Sequence, residues 1–197
     1  TISYQAGATS NGPDTLTVLS TDANGATDPD TVAITVNSVN DVPVNTVSGA
    51  RTVNEDTALT FTGGNTISVN DVDGNLSTTR LTVSNGTVTV SLAGGATISS
   101  GANSSSTLTL SGTQAQINAA LATLSYQGTL NFNGADTLTV LSTDANGATD
   151  SDTVAITVTS VNDAPVNTVP GAQSVNEDTA LSISGVSGND VDGNLSS

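Results

Sequence analysis

One long block of sequence occurs twice in this chain. TISYQAGATSNGPDTLTVLSTDANGATDPDTVAITVNSVND opens at Thr1, and TLSYQGTLNFNGADTLTVLSTDANGATDSDTVAITVTSVND opens at Thr123. The register holds through VNEDTAL, where Glu55 matches Glu177, and resumes three residues shorter at DVDGN, where Asp71 matches Asp190. Near-identity over this length marks tandem duplication, and a period near 120 residues (Thr1 to Thr123) suits one small domain. The chain is expected to hold the end of one repeat (1–41), a whole repeat (42–163) and the start of a third (164–197). The two fragments are too short to bury cores of their own. The protein is therefore expected to continue on both sides, or its partial repeats to be completed by neighbouring molecules.

Within the whole repeat the apolar residues alternate, as strands require. Thr46 to Val53, Ala58 to Thr62, Arg80 to Ser84, Thr87 to Ser91, Ser106 to Leu110, Thr137 to Ser142 and Thr153 to Val161 read as strands. Asn85-Gly86 reads as a two-residue hairpin turn between two of them. The period changes once, where Thr113 is a candidate N-cap and Ile117, Leu121 and Leu124 fall at helical spacing. TDANGATDSD reads as the loop before the last strand. The fold expected is all-β, an immunoglobulin-like sandwich with one short helix or helical turn per repeat.

Composition removes whole classes of function. His, Cys, Met, Trp and Lys are absent, so the common general base, thiol nucleophile, Schiff-base amine and soft metal ligands are missing. Carboxylate-only glycosidase chemistry remains, but four aromatic residues in all offer little sugar platform. No enzyme is expected. A formal net charge of −16 argues against nucleic acid and anionic membranes as partners. No signal peptide and no apolar run long enough to span a bilayer is visible, and no membrane insertion is expected. Without Cys or Lys there are no disulfide or Lys–Asn covalent staples, which leaves hard cations on oxygen ligands.

The carboxylates gather where repeats join. Asp41 to Glu55 is long enough, at about 3.3 Å per residue, to run the length of a sandwich. Glu55 should then lie at the pole opposite Asp41, and the chain should return Asp71 and Asp73 to the side of Asn40 and Asp41. Asp144, just before the last strand, belongs at that same pole. The first expected site draws on Asn40, Asp41, Asp71, Asp73 and Asp144. The second draws on Glu55, Asn162, Asp163, Asp190 and Asp192. Carboxylates packed this closely repel without a cation, and Ca²⁺ accepts six to eight oxygens in loose geometry. Asp56, Asp14 and Asp136 read as turn or surface residues; Asp28, Asp30, Asp150 and Asp152 read as solvated loop charges. DVDGN resembles the start of an EF-hand loop only weakly, since Thr82 stands where that loop needs its last glutamate.

SVNDAPV, VNEDTAL, DVDGN and STDANG resemble, in order, the linker, early-strand glutamate, Asp-x-Asp element and late aspartate of cadherin-like repeats. QINAALATLSYQ (Gln116 to Gln127) resembles the repeats of giant bacterial adhesins of the repeats-in-toxin, type I-secreted kind. The linker departs from the full cadherin form at Ser38 and Ala164, and no Asp-Arg-Glu element is present. The resemblance implies an extender segment of a secreted or surface-bound bacterial adhesin, rigidified by calcium at its joints, with neighbouring repeats of the same chain as partners. Two other readings compete. One is a self-assembling filament or surface layer built from copies of the chain. The other is a glycan- or ice-binding face built on pairs such as Thr87/Thr89 and Thr107/Thr109.

Overall fold

The computed structural model describes residues 1–7 and 10–196, and it is mostly β with a single α-helix among them. In chain order the strands are β1 (Gly12–Thr21), β2 (Thr27–Val36), β3 (Val44–Thr46), β4 (Arg51–Asn54), β5 (Leu59–Thr60), β6 (Ser68–Asn70), β7 (Leu76–Thr82), β8 (Gly86–Thr89), β9 (Thr97–Gly101) and β10 (Thr107–Ser111). Helix α1 (Gln114–Leu121) follows, then β11 (Ser125–Gly128), β12 (Gly134–Asp144), β13 (Thr149–Thr159), β14 (Val166–Thr168) and β15 (Ser187–Asn189).

Two sheets share one core. The larger has the order β4-β13-β12-β7-β10-β9 and is antiparallel except where β4 runs parallel to β13; the smaller has the order β5-β11-β8. Leu81, Leu108, Leu138, Val140 and Ile156 from the large sheet meet Leu59, Val88 and Tyr126 from the small one, with Ile117, Ala120 and Leu121 from α1. Each such side chain contributes about 1.5–3 kcal/mol on burial. Every fully buried residue among those described lies between Pro43 and Val158. The outer strands copy the inner ones without that support. β1 pairs with β2 in the register of β12 with β13, yet Val18 is 39 % exposed where its match Val140 is fully buried.

The helix forms where its sequence asks for it. Thr113 Oγ1 accepts from Gln116 N, and Gln116 Oε1 accepts from Thr113 N, a reciprocal cap that satisfies two otherwise free N–H groups. Asn118 then clips α1 to β6, donating to Val69 O at 2.8 Å and accepting from Val69 N at 2.9 Å.

Three expectations fail. Thr46 to Val53 is not one strand, because the chain leaves β6 as β3's partner and crosses to β13 as β4. TDANGATDSD is mostly strand, with only 145–148 left between β12 and β13. Asn85-Gly86 is not a hairpin turn, because β7 belongs to the large sheet and β8 to the small one.

The residue that makes that crossover is Asp136, which is buried rather than a surface turn residue. Its carboxylate accepts from Ser84 N, Asn85 N, Thr137 N and Tyr126 Oη at 2.7–3.0 Å. Gly86 is required by close approach rather than by a turn. A Cβ there would lie 2.4 Å from Gln127 O and 2.6 Å from Tyr126 Cε2. Gly86→Ala should therefore destabilise the domain by about 1–3 kcal/mol through overpacking. Tyr126→Phe should cost about 1.5–3 kcal/mol, since it removes a bond to a charged group. Urea midpoints at unchanged slope measure both, and a wild-type midpoint for either would contradict this packing.

Candidate metal centre

The ends of the core domain carry the acidic residues, and local structure aims each of them. At one pole Asp71 closes a turn: its Oδ1 accepts from Asp73 N at 3.0 Å, while Gln114 on α1 accepts from Asp71 N at 2.8 Å. Asp144 closes the β12–β13 turn, its Oδ1 accepting from Asn146 N and Ala148 N at 2.9 and 2.7 Å. The linker docks on both turns. Asp41 N donates to Asp73 Oδ2 at 2.6 Å, and Asn40 Nδ2 donates to Asp144 Oδ2 at 2.7 Å.

Asn40, Asp41, Asp71, Asp73 and Asp144 thus meet at one pole, as the strand arithmetic expects. They are laced by amides that the sequence reading left out. Asn75 lies 2.8 Å from Asn40 Oδ1, and with its amide turned it reaches Asp71 Oδ2 at 2.9 Å. Asn146 Nδ2 also donates to Asn40 Oδ1. Asp71 and Asp144 are buried, but no three carboxylates close into a cluster at this pole among the described residues.

The opposite pole differs in that respect. β4 ends at Asn54 beside Thr159 of β13, so Glu55 emerges next to the second linker; Glu55 N donates to Thr159 O at 2.9 Å. Glu55 Oε1 accepts from Val161 N at 2.6 Å, and Asn133 reaches Glu55 Oε2 at 3.5 Å. Asp163 N donates to Asp192 Oδ2 at 2.7 Å, and Asp192 N to Asp190 Oδ1 at 3.0 Å. Asn194 Nδ2 donates to Asn162 Oδ1 at 2.9 Å. All five residues expected here are present. Glu55, Asp163 and Asp192 each offer an oxygen within 4.8 Å of the others, and Glu55 is buried.

The two poles present the same lining in repeat register. Asn11, Ser38, Asn40, Val72, Asp73 and Asn75 line one cleft, and Asn133, Ser160, Asn162, Val191, Asp192 and Asn194 the other. Asn75, Asn194, Asn133 and Asn146 are the site residues that sequence reasoning missed. Asn75 and Asn194 close the repeated DVDGN motif, and Asn133 opens the repeated Asn-Gly-x-Asp stretch that it shares with Asn11, so all three were legible in the repeat. Asp150 was also misread. Its carboxylate accepts from Asn45 N at 2.6 Å, and buried Asn45 is tied further to Asp150 O and Ser142 Oγ, which seats the strand leaving the first linker. Asp56 does behave as a turn residue, at φ 57° and accepting from Asn131 N.

The electrostatics separate the poles. Asn40's hydrogen bond, helped by the backbone amides of the turn, holds the Asp144 carboxyl below its usual range although burial acts the other way. Loss of hydration, together with the charges of Asp192, Glu55, Asp56 and Asp190, pushes the Asp163 carboxyl up. Asp163 Oδ2 is buried with no hydrogen-bond partner. Three carboxylates thus gather here with fewer donors than acceptor oxygens, and Asp163 Oδ2 is the one left without a partner. Such an oxygen-only set fits a hard cation and offers nothing to a soft one.

The model of the Protein GAMETE EXPRESSED 2 domain matches residues 60–153, just under half of the chain. The matched span takes in Asp71, Asp73, Asp144 and most of the core. No curated protein matches the chain. The family match corrects the resemblance stated above: the core is similar to a domain of a gamete-expressed protein, not to a cadherin-like repeat of a bacterial repeats-in-toxin adhesin. The extender reading falls with that resemblance, as does its association with bacterial surfaces. The filament and glycan- or ice-binding readings gain no support from the match either. Among the described residues no helix is long and apolar enough to cross a membrane.

The opposed shifts give the joints opposed pH responses. Asp144 is lowered in the folded state, so its contribution is present above its unfolded pKa and is lost as pH falls through the folded value. Asp163 is raised, so its contribution is full below its unfolded pKa and is lost as pH rises through the folded value. In chelator, acidification should loosen the Asn40–Asp144 contact and favour closure of the Glu55–Asp163–Asp192 joint. Amide hydrogen exchange at Asp41 and at Asp163 reads the two separately, and a parallel response at both would contradict the assignment.

Proposed function

We propose that this chain is a run of immunoglobulin-like β-sandwich domains, dividing near 41–42 and 163–164, with calcium bound where successive domains meet. The partner of each domain is its neighbour in the same chain. The observation that carries this reading is the carboxylate of Asp163, grouped with those of Glu55 and Asp192, with its Oδ2 buried and unpaired. Glu55 belongs to the core domain, Asp163 to the linker and Asp192 to the segment beyond it. A cation there would bridge all three and turn repulsion into attachment. Asn162 and Asp190 would complete the second joint. Asn40, Asp41, Asp71, Asp73 and Asp144 would serve the first.

Calcium is favoured over magnesium because the ligands come from separate segments at loose spacing, which suits six to eight oxygens rather than a tight octahedron. Sites of this kind in extracellular modules bind at about 10⁻⁴–10⁻³ M, so they are loaded outside cells and empty in a low-calcium cytosol. An extracellular setting suits such a calcium requirement, and the matched family is one of gamete-expressed proteins. The chain has no catalytic part in this reading, consistent with the missing His, Cys and Lys.

Calorimetric titration and thermal melting test the proposal. Calcium at about 100 times its dissociation constant should raise stability by about 2.7 kcal/mol per site. Glu55→Gln with Asp192→Asn should remove one class of site. Asp163→Asn should favour joint closure in chelator, by relieving repulsion, and weaken closure in calcium. Identical melting in chelator and in millimolar calcium would overturn the reading.

A further inference from the structure

The chain carries the loop TDANGATD twice, and its two copies share one backbone conformation. In the first, Asn24 N and Ala26 N donate to Asp22 Oδ1 at 2.9 Å, with Gly25 at φ +88°. In the second, Asn146 N and Ala148 N donate to Asp144 Oδ1, with Gly147 at φ +88°. They differ in one respect. Asn146 Nδ2 donates to Asn40 of the linker, whereas Asn24 is exposed and, among the described residues, no group bonds to its side chain.

An Asn followed by Gly is open to intramolecular deamidation, because a Gly nitrogen with no neighbouring Cβ can approach the side-chain carbonyl. The Gly nitrogen bonds to the Asn Cγ and ammonia leaves, closing a succinimide. Water then opens the ring to aspartate or isoaspartate. The net change is the gain of one water and the loss of one ammonia, with no oxidant or reductant.

We infer that Asn24 and Asn146 are deamidation sites, and that closure of the joint protects Asn146. The bond to Asn40 ties the Asn146 side chain to the linker, so its swing onto Gly147 N is freed when the joint opens. The product replaces a donating amide with a carboxylate beside Asp144. It therefore removes the Asn146–Asn40 bond and adds a negative charge where the linker docks. An opened joint thus acquires a permanent chemical mark that opposes reclosure. This inference rests on the Asn146–Asn40 contact and does not depend on calcium.

Three other Asn-Gly pairs occur, Asn11-Gly12, Asn85-Gly86 and Asn133-Gly134, and Asn85-Gly86 serves as an internal control. Gly86 is buried against Tyr126, and Asn85 N is bound by Asp136, so that backbone cannot rearrange while the core is folded. The native chain would be held at mildly alkaline pH in chelator and followed by peptide mapping with mass spectrometry. Pro29 and Ser151 distinguish the two loop peptides. Asn24 should deamidate several-fold faster than Asn146, with Asn85 unchanged. Asn40→Ala, a change at an exposed linker residue outside the core, should bring Asn146 to the rate of Asn24 while Asn85 stays intact. Equal rates in the native chain, or persistent protection of Asn146 in Asn40→Ala, would overturn the inference.

Discussion

A carboxylate taken out of water needs donors, and this fold meets that need differently at different places. Asp136 is satisfied entirely from within: three backbone N–H groups and the Tyr126 hydroxyl surround it. Asp144 is satisfied by two turn amides and by Asn40, a residue of the linker. At Glu55, Asp163 and Asp192 the donors run out. Val161 N and Asn133 Nδ2 serve Glu55, Asp163 N serves Asp192, and Asp163 Oδ2 is left with nothing. Asp136 takes its donors from the core, Asp144 from its own turn and the linker, and the Glu55–Asp163–Asp192 group is left short of them.

The architecture explains why the shortage falls there. A single segment from Asn40 to Glu55 carries an acidic joint at each end, and β3 and β4 seat it against two different partners on the way. Asn45, locked by Asp150 and Ser142, fixes the first half; the parallel pairing of β4 with β13 fixes the second and delivers Glu55 beside Val161. Helix α1 contributes at a distance, through Gln114 on Asp71 N and Asn118 on β6. The core therefore orients the acids from behind the turns that carry them.

Strand length is a rigid quantity, which is why the poles were legible from the sequence: counting residues from Asp41 to Glu55 is enough to put them apart and to return Asp71. The helix was legible because its cap and its period agree. Asn85-Gly86 was not, because turn chemistry is local and does not tell whether two successive strands stay in one sheet. Gly86 is demanded by Tyr126, far along the chain, and Asp136 is buried by the same long-range contact. Asp150 and Asn45 escaped for a related reason, since a charged residue near a turn looks solvated until its partner strand is known. The broken strand at Thr46 to Val53 reflects a change of partner that periodicity cannot register. Repetition located the acids well and carried the amides that accompany them, yet it did not reveal the kind of protein they belong to.

The most direct test is a crystal structure of the chain grown in calcium, with anomalous differences collected to locate the ion. The account predicts an anomalous peak between Glu55, Asp163 and Asp192, with Asp163 Oδ2 among the coordinating atoms. A structure in which that oxygen is met instead by a water or a protein donor, with no peak at the joint, would contradict it.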